Sequence, residues 1–491
     1  MKKVFSSIFS LFIYSLCFSQ SNINDINQSG EKNELNIYQN GAPNSLIINQ
    51  IGNNNISNIE QGVFDELSLE GSINQTQQGN QNQAYIFQVG KNNIIEQNQT
   101  GNANTAKATQ DFFTTTNTIT QGQNGNNNTI EAKISIFGRN TNIIQNQNGD
   151  LNTITTKLDG SNNYVQQLQN DENNTLIINV SGDDNSIEQE QSGSFNIART
   201  DLNGNNNLVK QHQEGNNNNA TIIANNNTNI LLQHQVGTGN TALKIQNGVL
   251  NTSFQIQEGI ENNVSVTQSE EFNSSTTQQI GKNNSIEVIQ NSYEGKVSIT
   301  QNGDNNISKA TQTGRDGIGN QITQNQEGAD NIANAEQNFT LFDNTISQKQ
   351  LGDFNNGIAI QNSSVNSTIQ QNQEGNENTT EALQNNAQNS SITQQQKGQN
   401  NVAVAYQDFQ DSSAKNNTIS QTQRGVENYI SALQDGISNN LESLQVGDQN
   451  IMNTQQIGSE NSINISQFGT SLMQTISQNG IGNTIIFEQN N

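Results

Sequence analysis

Polar and apolar positions recur along this chain with a step of eleven residues. Between Gly149 and Gly314 sixteen successive positions fall on this step, and twelve of them are glycine. An asparagine follows fourteen of these positions by three residues, and a glutamine precedes twelve of them by two. Columns that stay in phase over this distance indicate an internal repeat rather than a biased composition.

The repeating unit is twice this step. A second glutamine lies four residues before alternate positions of this step, as at Gln145, Gln167 and Gln189. The halves between them have Thr156 and Ile178 in this place. Two different eleven-residue halves therefore form a 22-residue repeat.

Each half-repeat alternates like a short strand. Residues two, four and six before a glycine share one face, because successive side chains of a strand point to opposite faces. In one half that face has Ile187, Gln189 and Gln191, whereas Glu188 and Glu190 lie on the other face. Glycine and asparagine between the strands tolerate positive φ and supply tight turns. The sequence therefore predicts an all-β fold, a β-solenoid of about twenty stacked coils with two strands in each.

A single coil of this composition buries too little apolar surface to offset the entropy lost on ordering its residues. Backbone ladders and stacked side-chain amides must supply the remainder, and both need a neighbouring coil above and below. The coils at the ends of the stack lack one neighbour, and a buried amide without a partner costs about 1–3 kcal/mol. The pattern therefore favours polymerisation, through the first coils near Asn33 to Gly52 and the last near Asn461 to Gln489.

The phase of the repeat is interrupted at a few places. Extra residues near Val63 to Ser68, Arg315 to Asn320 and Asp411 to Asn416 predict loops that bulge from the stack. Two smaller insertions lie between Gly101 and Gly138. The phase resumes after each of them, so we expect one rod, on the order of 90–100 Å long at about 4.8 Å per coil.

The first residues of the chain do not follow the repeat. Two lysines precede a largely apolar stretch, Val4 to Phe18, which predicts a secretory signal peptide at residues 1–19. This stretch is too short to favour a membrane span. Residues 20–491 would then form one repeat domain with no linker, no sorting domain and no further transmembrane segment. The only cysteine is Cys17, so the mature chain would have no disulfide.

Composition and charge limit the kinds of partner that the chain could bind. The formal net charge is −25, and hydrophobic residues make up 30% of the chain. Such a composition ordinarily indicates disorder, but the regular phase of the repeat favours an ordered fold. The sequence has no basic patch, which argues against nucleic acid as a partner. We expect repulsion between the acidic chains to slow assembly until a template is present.

One set of offsets recurs with an alanine added. It comprises Gln99, Gly101, Asn104, Ala106 and Gln110. The same offsets are found at Gln326, Gly328, Asn331, Ala333 and Gln337, and again at Gln396, Gly398, Asn401, Ala403 and Gln407. In the first unit Asn33 precedes Gln39 and Gly41. This spacing resembles the curlin repeat of curli amyloid subunits, Ser/Asn-x5-Gln-x-Gly-x2-Asn-x-Ala-x3-Gln.

The resemblance extends over nearly all of the mature chain. It implies an extracellular amyloid fibre subunit of a biofilm matrix, exported unfolded through an outer-membrane pore. The implied partners are further copies of the chain and other curlin-type subunits or a nucleator. The chain departs from the familiar subunits in its number of coils, and asparagine stands where serine often begins the motif. It is therefore open whether it is a major subunit, a nucleator or a long variant.

Two groups of outward residues are candidate chemical sites. His212 and His234, the only histidines, are predicted at equivalent positions on successive coils, about 5 Å apart. No cysteine or third histidine accompanies them, so duplication of a surface residue is favoured over a metal site. Glu188 and Glu190 fit a solvated face better than acid–base chemistry. The sequence predicts a protein that is not an enzyme, with no catalytic, cofactor-binding or metal-binding residues.

Two functions remain. The first is a structural, self-assembling fibre subunit that also contributes to adhesion. The alternative is a monomeric secreted solenoid adhesin whose outer face binds a surface or a glycan. The interior columns support the first, and their predicted ladder residues are Gln39, Gly41, Gln99, Gly101, Asn104, Gln110, Gln213, Gly215, Asn218, Gln235, Gly237, Asn240, Gln326, Gly328, Asn331, Gln337, Gln396, Gly398, Asn401 and Gln407.

Overall fold

The computed structural model describes residues 22–62, 67–314, 317–408 and 415–491. Within these residues every regular element is a β-strand. The predicted signal peptide lies outside the described residues, as do parts of the three predicted loops. In the described parts of the chain, no helix is long and apolar enough to cross a membrane.

The strands form two long parallel sheets, A and B, whose members alternate along the chain. Sheet A has 21 strands and sheet B has 20. The strands of sheet A are β1 (Ile23–Ser29), β3 (Ser45–Ile51), β6 (Ser72–Asn80), β9 (Ile94–Asn102), β11 (Thr118–Asn124), β13 (Asn142–Asn148), β15 (Tyr164–Asn170), β17 (Ser186–Ser192), β19 (Leu208–Asn216), β21 (Ile230–Thr238), β23 (Thr252–Ile260), β25 (Ser274–Lys282), β27 (Lys296–Asp304), β29 (Gln321–Glu327), β31 (Thr345–Leu351), β33 (Thr368–Asn376), β35 (Ser391–Gln399), β37 (Thr418–Val426), β39 (Asn440–Asp448), β41 (Ser462–Thr470) and β43 (Thr484–Asn490).

The strands of sheet B are β2 (Glu34–Gln39), β4 (Ile56–Gln61), β7 (Gln83–Gln88), β10 (Thr105–Gln110), β12 (Thr129–Ile134), β14 (Thr153–Asp159), β16 (Thr175–Ser181), β18 (Ile197–Asn203), β20 (Asn219–Asn225), β22 (Thr241–Gln246), β24 (Asn263–Ser269), β26 (Ser285–Ser292), β28 (Ile307–Gly314), β30 (Ile332–Asn338), β32 (Asn356–Asn362), β34 (Thr379–Asn385), β36 (Val402–Asp408), β38 (Tyr429–Ile437), β40 (Ile451–Ser459) and β42 (Met473–Ile481). Two short strands, β5 (Ser68–Leu69) and β8 (Gly90–Lys91), pair separately.

Each strand pairs in parallel with the next strand of its own sheet, one coil further along the chain. The pairings of sheet A run in one line from β1 to β43, and those of sheet B from β2 to β42. The predicted β-solenoid is confirmed, with about 21 coils and two main strands in each.

The core is a thin layer between the two sheets. In β17 the inward residues Ile187, Gln189 and Gln191 are buried, and Glu188 and Glu190 lie on the outer face, as the alternation predicts. Inward positions elsewhere have isoleucine, valine, alanine or glutamine. The interior therefore combines aliphatic contacts with columns of side-chain amides.

Insertions alter the turns and leave the register unchanged. Facing residues of β19 and β21 are 22 positions apart, as Gln213 and Gln235 are. Gln301 faces Gln326 across 25 positions, and Gln396 faces Gln423 across 27. The inward columns therefore stay aligned past every insertion.

The two edges of the solenoid differ in their turns. We call the edge where sheet A strands lead into sheet B strands the short-turn edge. There the first inward residue of a strand always lies seven positions after the last inward residue of the preceding strand, as Ala333 does after Gln326. The opposite edge, from sheet B to sheet A, is the long-turn edge. All eight longer connections of the described stack lie there, before β6, β11, β13, β29, β31, β33, β35 and β37.

Candidate functional site

A single column of glutamines runs through the whole of sheet A. We call it the first glutamine column; it begins at Gln28, passes through Gln213 and Gln235, and ends at Gln489. Twenty hydrogen bonds of 2.7–3.2 Å join its 21 members. In each of them Nε2 donates to Oε1 of the next coil toward the carboxyl end. The column is therefore continuous and has one direction.

The same side chains also join the two sheets. Gln213 Nε2 donates a second hydrogen bond to the carbonyl oxygen of Ile197 at 3.0 Å, and Gln235 Nε2 donates to that of Asn219 at 3.1 Å. Both acceptors belong to strands of sheet B. Each buried amide thereby satisfies both its N–H groups, which a buried polar group requires to avoid a large desolvation cost.

The other glutamine columns are interrupted but share this direction. In sheet B a run from Gln39 to Gln110 gives way to five aliphatic residues and resumes at Gln246. A second column of sheet A has runs starting at Gln97 and Gln324. Some of the buried side-chain atoms that have no hydrogen-bond partner among the described residues lie at the ends of these runs: Gln97 Oε1, Gln246 Oε1, Gln324 Oε1 and Gln478 Nε2. Gln75 Nε2, in the coil before Gln97, also has none.

The turns are held by a matching column of asparagines. Asn218 Oδ1 accepts from the backbone N–H of Asn240 at 3.0 Å, one coil on. Asn218 Nδ2 donates to the carbonyl oxygen of Gly237 at 2.9 Å in the same neighbouring coil. One side chain therefore satisfies two backbone groups of the next turn.

The turn glycines let successive coils approach closely. Gly215 has a φ of 108°, and a Cβ at this position would lie 2.1 Å from the carbonyl oxygen of Gly237. A side chain is excluded there by contact as well as by backbone conformation.

The structure places the predicted ladder residues in these columns. The glutamines and asparagines are buried, apart from the half-buried Gln39 near the amino-terminal edge. The glycines occupy turns with positive φ: Gly41, Gly101, Gly215, Gly237, Gly328 and Gly398. The hydrogen bonds join Gln99 to Gln123, Gln110 to Gln88, Gln326 to Gln350, Gln337 to Gln361, Gln396 to Gln423, Gln407 to Gln434, Asn104 to Asn82, Asn331 to Asn306 and Asn401 to Asn378.

Both edges of the described stack expose core side chains. Ile26 and Ile37, which occupy inward columns of β1 and β2, are 48% and 36% exposed, whereas Ile48 in the next coil is 1% exposed. The exposed amino-terminal end of the stack therefore includes β1, which precedes the predicted range of Asn33 to Gly52. At the other edge, Ile485 and Phe487 of β43 are only partly buried.

Among the described residues, one ionisable side chain is fully buried in the core. Lys244 occupies an inward position of β22, between Ile222 and Val266 of the same column, and is fully buried. Its Nζ donates to the carbonyl oxygens of Leu232 and Ser253, and burial lowers the pKa of Lys244 well below its usual value. The column pattern includes this lysine, but sequence reasoning did not single out its burial.

The two histidines lie in a groove on the outer face of sheet A. Their ring centroids are 4.9 Å apart, close to the predicted separation. His212 Nδ1 lies 3.3 Å from Glu190 Oε2, and partial burial together with His212 lowers the pKa of His234. No cluster of three or more metal-ligating side chains is found among the residues that the structure describes.

These features define a class of protein: a long parallel β-solenoid with glutamine columns of one direction in its core and partly exposed core side chains at both ends of the stack. No model of a known protein family matches the chain, and no curated protein matches it. The resemblance to curlin repeats thus stays an expectation based on the motif offsets.

Proposed function

We propose that this chain is the structural subunit of an extracellular fibre and polymerises by stacking the last coil of one copy on the first coil of the next. The observation that carries the proposal is the first glutamine column, which is continuous and has one direction from Gln28 to Gln489. Such a column presents amide acceptors at one edge of the stack and amide donors at the other. The free donors of one copy would pair with the free acceptors of a second copy stacked in the same orientation.

Backbone and core contacts support the same arrangement. Among the described strands, the outer members β1 and β43 of sheet A each pair on one side only, and the other side is a template for a further strand. The exposed Ile26 and Ile37 at one edge, and Ile485 and Phe487 at the other, would be covered by a stacked coil. Stacking would therefore recover hydrogen bonds and apolar burial together.

The resemblance to curlin repeats adds a location and an export route to the proposal. Residues 1–19 would direct secretion, and an outer-membrane pore would export the unfolded chain. The fibre would belong to a biofilm matrix and contribute to adhesion, with copies of the chain, other curlin-type subunits or a nucleator as partners. No catalytic role is proposed.

The test is assembly of the purified chain, residues 20–491, released from denaturant. Expected results are a lag in dye binding that preformed fibres abolish, and fibre diffraction near 4.8 and 10 Å, the spacings of stacked strands and packed sheets. A stable monomer with strand-type circular dichroism at high concentration would contradict the proposal.

The groove on sheet A favours a second candidate, the monomeric adhesin. It has a volume of about 350 Å³ and is lined by charged residues at one end and by Leu232, His234, Phe254 and Ile256 at the other. Phe254 is 37% exposed, so its ring is available to a ligand. Binding of a surface glycan by the monomer, lost in Phe254→Ala, would favour this function.

A further inference from the structure

Turn chemistry does not explain why all insertions lie on the long-turn edge. Where no residue is inserted, the two edges use the same turn. Asn185 on the long-turn edge and Asn196 on the short-turn edge each donate a backbone N–H to the asparagine Oδ1 of the preceding coil, both at 3.0 Å. Either edge accommodates this turn equally, so the confinement of insertions to one edge calls for another cause.

The described residues of four inserted turns stack on one another. We define the turn platform as residues 317–320, 339–344, 363–367 and 386–390, which belong to four successive coils. Ile318 pairs in parallel with Phe342, and Val365 pairs with Gln388. Leu341 N–H donates to the carbonyl oxygen of Ser364 at 3.0 Å, which links the two pairs. The insertions therefore build a small third face on the solenoid.

This face is apolar and open to solvent. Phe339 is 72% exposed, Phe342 46%, Leu341 40% and Ile318 39%. Phe339 also has a φ of 51°, a left-handed conformation that suits asparagine and disfavours a bulky aromatic residue. Other exposed turn phenylalanines, among them Phe195, share this conformation, so what distinguishes Phe339 is the cluster of exposed apolar side chains around it.

The charge of the molecule favours a second copy as the occupant. Two chains with a formal charge of −25 repel each other, so they approach best where charge is sparse. Asp343 is the only charged residue of the turn platform. Arg315 and Asp316 adjoin it in sequence and Lys415 pairs with Gln388, so the formal charges of these four residues cancel. By contrast, the exposed Phe272 on the same edge adjoins Glu270 and Glu271.

We propose that the turn platform is a lateral docking surface through which fibres of this chain associate side by side. This inference rests on the proposed function, because it requires a polymer. The exposed apolar area of the platform is on the order of 400 Å², taking 150–250 Å² for a whole aromatic side chain. A stable pair of proteins buries roughly 800 Å² on each partner. One platform is therefore too small to hold two monomers together.

A fibre overcomes this limit by repetition. Each added subunit brings another platform to the long-turn edge of the filament, and linked weak contacts act together with a large gain in avidity. The proposal therefore requires that fibres bundle while the unpolymerised chain stays monomeric.

The experiment compares wild-type residues 20–491 with the double variant Phe339→Asn and Phe342→Thr. Asparagine suits the left-handed turn, so we expect the variant to fold and polymerise normally. Low-speed centrifugation collects bundles, and high-speed centrifugation collects all fibres. The low-speed fraction should fall at least fivefold in the variant while the high-speed fraction stays unchanged.

Phe195→Asn is the matched control. Phe195 is 56% exposed at a φ of 60°, but it lies on the short-turn edge. This change should leave bundling unaltered. Deleting Leu341 and Phe342, which restores the seven-residue spacing before β31, should reproduce the double variant.

Four outcomes would overturn the proposal: undiminished bundles in the double variant, equal loss in Phe195→Asn, wild-type fibres that stay single, or dimers of the unpolymerised chain in sedimentation velocity. A wild-type chain that gives no high-speed pellet would overturn the proposed function, and the platform proposal with it.

Discussion

At the scale of single residues, the amide columns explain why glutamine is needed inside a solenoid that also accepts aliphatic side chains. In sheet B, Ile134, Leu158 and Val180 follow Gln110 in the same column without a change of register. Shape alone therefore does not require glutamine. What matters is whether each amide atom has a partner in the next coil, because an unpaired buried amide is costly.

The last glutamines of the stack should control growth. Gln478 Nε2 is buried without a partner among the described residues, although Gln478 Oε1 accepts from Gln456 at 3.0 Å. We expect the double change Gln474→Ala and Gln478→Ala to slow elongation several-fold, because an incoming copy loses that donor. Seeded dye-binding kinetics measure the rate. Ser477→Ala, an outward neighbour, is the control; unchanged elongation in the double variant would contradict the assignment of this edge.

Lys244 is the residue whose replacement should stabilise the protein. Two apolar clusters meet near it: one extends to Leu231, and the other begins at Val264. Lys244→Met would join them and remove a fully buried amino group, for an expected gain of roughly 1–3 kcal/mol in the free energy of unfolding. Urea titration measures the gain. Lys157→Met, an exposed position of the same sheet, should change stability by less than about 0.5 kcal/mol.

The same variant should change the dependence of stability on pH. Burial lowers the pKa of Lys244 in the folded state, so the unfolded chain binds more protons between the lowered pKa and the usual value of 10.5. Stability of the wild type therefore falls as the pH decreases through this window, by about 1.4 kcal/mol for each unit of pKa shift. Lys244→Met should lose this slope. An identical slope in both proteins would show that Lys244 does not titrate in this way.

At the scale of elements, the turn glycines divide into two kinds, which one turn illustrates. A Cβ on Gly237, with a φ of 118°, would lie 2.0 Å from the carbonyl oxygen of Gly259. A Cβ on Gly239, with a φ of 70°, would come no closer than 3.3 Å to the flexible side chain of Glu261. The first glycine is required by contact and conformation, whereas the second position resembles those that asparagine fills elsewhere.

We therefore expect Gly237→Ala to destabilise the solenoid by about 2–4 kcal/mol, since it combines a Gly-only conformation with a backbone clash. Gly239→Asn should be neutral within about 0.5 kcal/mol. Chemical denaturation of the two variants gives both values. Equal losses would mean that close approach of the coils is not the reason for the glycine column.

The sequence alone predicts much of this fold, because a 22-residue repeat determines strands, turns and inward faces together. It predicts the outer placement of Glu188 and the neighbouring positions of His212 and His234 on successive coils. The common direction of the amides is not visible in a sequence, because it depends on the rotation of each side chain. The confinement of insertions to one edge could have been found by counting half-repeats between Gly62 and Gly79 and at each later insertion.

At the scale of the whole molecule, charge opposes assembly. The full chain has a formal charge of −25, and a copy without residues 1–19 is more negative because it lacks Lys2 and Lys3. Stacking copies brings these charges together along one axis. The Debye length falls from roughly 30 Å at 0.01 M salt to about 10 Å at 0.1 M. Repulsion between copies should therefore decline steeply over this range.

We accordingly expect the elongation rate to rise several-fold between 0.01 and 0.3 M sodium chloride. Seeded growth at constant protein concentration is the measurement, and an equal osmolality of sucrose is the control for excluded-volume effects. A rate that is independent of salt, or that falls with it, would show that electrostatic repulsion is not limiting.

The shared orientation of the glutamine side-chain amides has a consequence for repair. If a filament is sheared, the glutamine columns present only free N–H groups at one fracture surface. At the other fracture surface they present only free side-chain carbonyl oxygens. Two fragments can rejoin when both point the same way, whereas a fragment turned end for end sets donor against donor. Breakage would therefore multiply the sites of growth without ever producing a filament that reverses its course.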